Sequence, residues 1–278
     1  MMRALLLALA ASTLAATSSI AQAAAQSPPP RPTLVVFIAV DQLRPDYADR
    51  WRGQLTGGLR RLWEGGAVMD DAWYDYMMTE TAPGHAVMMA GRWPASTGII
   101  LNDEGVPDPR TPLIGSKDTP ASPYRFRGSV LMDWIRNADP RSRALSVSRK
   151  DRGAILPLGH SKPEAFWWSG DAGFTTSRWY ADTLPTWVRR FNERHPIAGF
   201  AEYTWTPLLA DSAYREPDDE PAEASGRGST FPVRARDLVS GRWTLGDALE
   251  YMPVMDSLTV ELALAGVQEM NLGAGPQL

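Results

Sequence analysis

Leu34, Val35, Val36, Phe37, Ile38, Ala39 and Val40 form an unbroken apolar run that is rich in β-branched side chains. Such a run has no polar face to turn toward water. It therefore reads as a strand buried on both sides, as in the parallel sheet of an α/β domain. Asp41 follows at once, at the C-terminal end of the predicted strand, where open α/β sheets place their ligands. There it either caps the next turn or serves as a hard oxygen ligand for a divalent cation. Residues 41–47 are polar and broken by Pro45, as a site loop would be.

The next informative stretch is Thr81, Ala82, Pro83, Gly84 and His85. Pro83 suits the first turn of a helix, where its missing N–H costs nothing. Residues 86–90 continue that helix with an apolar, Met-rich sequence. Thr81 is then placed just before the helix, beside free backbone N–H groups and the positive end of the dipole. It is either an ordinary N-cap or a hydroxyl nucleophile presented to a phosphoryl group. Downstream, residues 94–103 end a short apolar segment on the amide of Asn102. Residues 143–148 read as another strand that leads into Lys150 and Arg152. In an extended chain those two cations lie on one side and can converge on one anion, although a Lys-x-Arg pair is also a common solvated face.

Taken together, these residues resemble a known family. Val40-Asp41-Gln42, Thr81-x-Pro-Gly-His85, Gly98-Ile-Ile-x-Asn102 and Lys150-x-Arg152 have the order and spacing of the alkaline phosphatase superfamily. The nearest branch is the PafA-like secreted phosphomonoesterases, related to type I phosphodiesterases and nucleotide pyrophosphatases. Phe166-Trp167-Trp168, residues 173–177, Leu184-Pro185-x-Trp187-Val188 and the helix across residues 253–272 also look like that branch. The resemblance implies an α/β/α three-layer sandwich with long inserted loops. It implies that Asp41 and Thr81 bind one Zn²⁺ of a two-zinc site, and that Thr81 attacks phosphorus. Asn102, Lys150 and Arg152 would hold the phosphoryl oxygens. The implied substrate is a small phosphate ester, and the two cations favour a monoester dianion over a diester monoanion.

Two departures accompany the resemblance. Thr97 stands where the family commonly has a His before its Gly-Ile-Ile segment, a departure that bears on the local support of Asn102 more than on the chemistry. The family's other metal ligands lie in an Asp-x-x-x-His motif, an Asp-His pair and a distal His. The three histidines of this chain, His85, His160 and His195, match none of these patterns. The chain thus reads as the N-terminal part of an enzyme, inactive by itself. The alternatives are a phosphodiesterase or nucleotide pyrophosphatase on the same core, and a non-catalytic secreted domain that keeps an anion pocket. His85 is expected to be a local structural residue, His160 to have no ligand partner and His195 to be solvated.

Composition bounds the rest. Arg3 followed by the apolar residues 4–16 and small residues at Ala21, Ala23 and Ala25 reads as a secretory signal across residues 1–25. Residues 26–32 are a Pro-rich linker, and residues 33–278 the N-terminal part of the phosphatase-like domain, with an insertion at about 103–250. The expected location is periplasmic or secreted, with no membrane anchor after signal cleavage. About 250 residues suffice for one large domain. Cysteine is absent, and the net charge of −4 argues against nucleic acid as a specific partner. Oligomeric state is left open. Helices are predicted at residues 58–63, 83–90, 129–137, 185–192 and 256–270, strands at 34–40 and 67–76, and a polar surface loop at 211–230.

Overall fold

The computed structural model describes residues 31–220 and 228–275. The predicted signal segment, the start of the linker and the centre of the polar loop lie outside them. The architecture is α/β. Helices α1 (Gly57–Gly65), α2 (Thr81–Ala90) and α3 (Leu131–Ala138) precede strand β1 (Leu145–Ser148) and the short helix α4 (Asp151–Ile155). Strands β2 (Glu164–Ser169) and β3 (Gly173–Thr175) follow, then α5 (Thr186–Arg194), the two-residue strands β4 (Thr204–Trp205) and β5 (Val233–Arg234), α6 (Leu245–Leu249) and α7 (Val254–Glu269).

β1 and β2 run parallel, with Leu145 opposite Glu164 and Ser148 opposite Trp167. β3 returns antiparallel, with Trp168 opposite Phe174. The pleat of β2 divides the interior, because successive side chains leave a strand on opposite faces. Ala165 and Trp167 pack with Ala82, Ala86 and Ala90 of α2 and Ala154 and Ile155 of α4. Phe166 and Trp168 pack on the other side with Trp187, Val188 and Phe191 of α5 and Met255, Leu258 and Leu262 of α7. Both faces of this sheet are therefore covered, which is the layering the sequence predicted.

Two predicted strands take a different form. Residues 34–40 form no strand and pair with nothing among the described residues, and Leu34, Val36, Phe37 and Ile38 are exposed. Residues 67–76 likewise form no strand, and Met69 and Trp73 are exposed. A sequence pattern records what a segment buries in its folded environment; here no sheet neighbour meets these two. Along α3 an amphipathic reading of residues 129–137 would put Val130, Leu131, Trp134 and Ile135 on one buried face, and the structure departs from it. Val130 and Met132 are buried, while Leu131 and Trp134 face outward.

Candidate active site

The site forms where the C-terminal end of β1 meets the start of α2. Helix α2 begins at Thr81, two residues before the predicted start, with Glu80 as its N-cap. Pro83 is its third residue, so its missing N–H falls among the groups that have no partner inside a helix. Gly84 N–H reaches the Glu80 carbonyl at 3.0 Å. Ala82 N–H is satisfied from outside, by the side-chain carbonyl of Asn102 at 2.8 Å. Thr81 N–H has no partner among the described residues.

Three of the predicted residues converge directly. The Thr81 hydroxyl donates to Asp41 Oδ2 at 2.9 Å. Lys150 Nζ lies 3.3 Å from the same carboxylate oxygen and 3.4 Å from Thr81 Oγ1. Burial works to raise the Asp41 pKa, but the Thr81 hydroxyl, His85 and Lys150 together hold it below the ordinary carboxylate value. Lys150 is moved in the opposite sense for an ammonium. Burial lowers it first, Arg149 and Arg152 add to the effect, and Asp41 opposes them. A hydroxyl is thus held between an ionised carboxylate and a partly desolvated cation, an arrangement suited to anionic chemistry at oxygen.

Asn102 joins this group through the helix start. With its side-chain carbonyl fixed to Ala82 N–H, its amide N–H₂ is left as the donor end. Its own backbone N–H donates to Glu80 Oε2 at 2.8 Å. Thr97 does not replace the family's His in this support. It is buried, its hydroxyl donates to the Pro94 carbonyl, and its carbonyl accepts from Arg127 N–H.

Lys150 and Arg152 depart from the predicted extended pair. Lys150 has an extended backbone, but α4 starts at Asp151 and Arg152 lies in its first turn. Arg152 bonds Asp151 at 3.2 Å, and its buried Nε has no partner among the described residues. It makes no hydrogen bond or ion pair with Thr81 or Asp41. Gly153 explains the tight approach of α4: a Cβ there would stand 2.4 Å from Ser148 Oγ and 3.6 Å from His85 Nε2. Ser148 Oγ in turn accepts from Lys150 N–H at 3.1 Å.

His85 is buried and its Nδ1 lies 2.9 Å from the Thr81 carbonyl, which agrees with a local structural role. His160 hydrogen-bonds the Phe126 carbonyl. His195 packs on Phe191 and pairs with Glu261 at 3.6 Å, so it is less solvated than predicted. Sequence reasoning missed Glu80 and Gly105. Gly105 N–H bonds the Asn102 carbonyl, and a Cβ at Gly105 would meet Ala82 Cβ at 2.9 Å and that carbonyl at 3.1 Å. An acid just before Thr81 was the available signal, though it also suits any helix start.

Asp41 and Thr81 offer two oxygens 2.9 Å apart, the hard donors that a divalent cation accepts. Among the described residues no group of three or more His, Cys, Asp or Glu side chains could hold a metal. Zinc takes about four ligands. The pair therefore fits one edge of a metal centre and does not close it.

Residues 35–244 match the profile of the type I phosphodiesterase / nucleotide pyrophosphatase family. The chain belongs to that family. It is 33% identical over 263 residues to alkaline phosphatase PhoV of Synechococcus elongatus, covering 87% of this chain and 47% of the relative. It is 30% identical over 265 residues to alkaline phosphatase PafA of Elizabethkingia meningoseptica, covering 88% and 48%. The crystal structure of PafA superposes with a TM-score of 0.77 at 29% identity, over 90% of this chain and 52% of that one. A PafA variant substituted at one Thr, one Asn, one Lys and one Arg superposes with a TM-score of 0.75. The chain spans about half the length of the curated relatives it matches. These curated relatives are alkaline phosphatases.

Proposed function

We propose that this chain carries the nucleophile and phosphoryl-binding half of a metal-dependent phosphomonoesterase that works through a phosphothreonine. The observation that carries the reading is the Asp41–Thr81–Lys150 triangle at the start of α2. Thr81 Oγ gives up its proton to water and forms the new bond to phosphorus while the ester P–O bond breaks, and the alcohol oxygen leaves with its electron pair and takes up a proton from water. Water then cleaves the P–Oγ bond, releasing phosphate and restoring the Thr81 hydroxyl. Asn102 N–H₂, Lys150 and Arg152 hold the non-bridging oxygens, where charge is carried through the transition state. Asp41 accepts the Thr81 proton's hydrogen bond and orients the hydroxyl. Asp41 and Thr81 would hold one Zn²⁺ of a two-zinc site. When bound, the zinc ions supply charge neutralisation and a lowered hydroxyl pKa.

The types substituted in the PafA variant, Thr, Asn, Lys and Arg, match those at Thr81, Asn102, Lys150 and Arg152, which supports this assignment. A phosphodiesterase or nucleotide pyrophosphatase is the second reading, favoured by the family description itself; the two cations weigh against it. The third reading is a non-catalytic anion-binding domain, favoured by the incomplete ligand set. A periplasmic or secreted location rests on residues 1–25. No helix among the described residues is long and apolar enough to cross a membrane.

The test is acid-quench trapping of the full-length natural protein with a labelled phosphomonoester. Label recovered on Thr81, and lost together with turnover in Thr81→Ala, is the expected result. Full turnover in Thr81→Ala would sink the proposal.

A further inference from the structure

We propose that Glu80 is a positioning residue that sets the phosphoryl-binding amide of Asn102 against the Thr81 nucleophile. The observation is a reciprocal pair of hydrogen bonds between the start of α2 and the loop after Gly98. Asn102 Oδ1 accepts from Ala82 N–H at 2.8 Å, and Asn102 N–H donates to Glu80 Oε2 at 2.8 Å. This is the logic of a capping box, in which a side chain satisfies a helix N–H and a second side chain returns to the partner's backbone. Here the two partners are separated by 20 or more residues, so the motif ties distant segments instead of closing one turn.

The consequence is geometric. A single bond to Ala82 would let the Asn102 side chain rotate about its own Cα while keeping its carbonyl attached. The second bond fixes the Asn102 backbone, so that Cα, carbonyl and amide nitrogen all take one place relative to Thr81. Gly105 closes the seat: its N–H holds the Asn102 carbonyl at 3.1 Å, and any Cβ at that position would press on Ala82. A site that must meet a transition state loses rate steeply when a donor shifts by a fraction of an ångström to an ångström. The Glu80 side chain makes no hydrogen bond to Asp41, Lys150 or the Thr81 hydroxyl, so its effect passes through Asn102. Its charge is incidental to this role, since any acceptor at Oε2 can hold a backbone N–H.

The inference rests on the phosphomonoesterase reading. The test is a double-mutant cycle in the full-length natural protein, measuring kcat/KM for an aryl phosphate and the inhibition constant of inorganic phosphate. Glu80→Ala should lower kcat/KM about tenfold or more and weaken phosphate inhibition, while Glu80→Gln, which keeps an acceptor, should stay within about threefold of wild type. In an Asn102→Ala background, Glu80→Ala should add little, because the side chain it positions is gone. Additive losses, or equal losses in Glu80→Ala and Glu80→Gln, would overturn the positioning role. If Asn102→Ala alone left both measurements unchanged, the fault would lie in the functional reading, and this inference would fall with it.

Discussion

Lys150 and Asp41 face each other at 3.3 Å, and both reach the hydroxyl of Thr81. The cation is tied to the carboxylate in the resting arrangement described here. An incoming phosphoryl dianion offers Lys150 a second partner with more charge, and the ammonium can serve both only over a short span. In the proposed reaction Lys150 would thus report on how much negative charge the substrate brings.

Lys150→Ala and Arg152→Ala should each lower kcat/KM for an aryl phosphate by about 10²- to 10³-fold in the full-length protein, the range for removing one charge-assisted transition-state contact. The matching methyl aryl diester should lose much less, because its second ester group blocks one oxygen. Equal losses on both substrates would move the diesterase reading ahead.

Zinc titrated calorimetrically into the purified 278-residue polypeptide should bind weakly, since Asp41 and Thr81 are two oxygens where a zinc needs about four ligands. Thr81→Ala should abolish what binding there is. Two tight ions per chain would show that other ligands complete the centre.

Acid stability offers a test away from the site. Asp108 is buried; the Arg110 guanidinium bonded to it and the Ser122 hydroxyl pull its pKa down to about 2, against the opposing effect of burial. A carboxylate depressed in the folded state stabilises the fold above its unfolded pKa of about 4, and that stabilisation is lost as pH falls through the folded value. The melting-temperature gap between wild type and Asp108→Asn should hold above about pH 4 and close toward pH 2. A gap independent of pH would mean that shape, not charge, is what Asp108 contributes.

Gly105→Ala introduces a methyl 2.9 Å from Ala82 Cβ. The loop must move, at a cost of about 1–3 kcal/mol. A urea midpoint lowered with an unchanged slope, together with a lower kcat/KM, is the expected result. A midpoint equal to that of wild type would show that the loop yields freely.

Much of the site was legible because it depends on short-range chemistry. Pro83 and the apolar residues after it announce a helix start, and the structure puts Thr81 there. The order of Asp41, Asn102 and Lys150 carried the family resemblance. What the sequence hid depends on neighbours. Phe166, Trp167 and Trp168 are continuous and apolar because β2 is covered on both faces, so no alternation marked it as a strand. Lys150 and Arg152 look like an extended pair, yet Asp151 opens a helix between them whose Gly153 packs against Ser148. Glu80 carries no periodic signal at all; its partner lies in another segment of the chain.

The unpaired ribbon at residues 34–40 has a consequence for handling this polypeptide. None of residues 34–39 makes a backbone hydrogen bond among the described residues, while Val36 and Ile38 are about 70% exposed (68% and 70%). An uncovered edge of this kind is a template for another copy of itself, because two such ribbons satisfy each other's amides and bury each other's valines and isoleucines. Polypeptides that leave it bare will self-associate as concentration rises. A lysine in place of Val36 or Ile38 should raise solubility, leaving the Asp41–Thr81–Lys150 geometry intact.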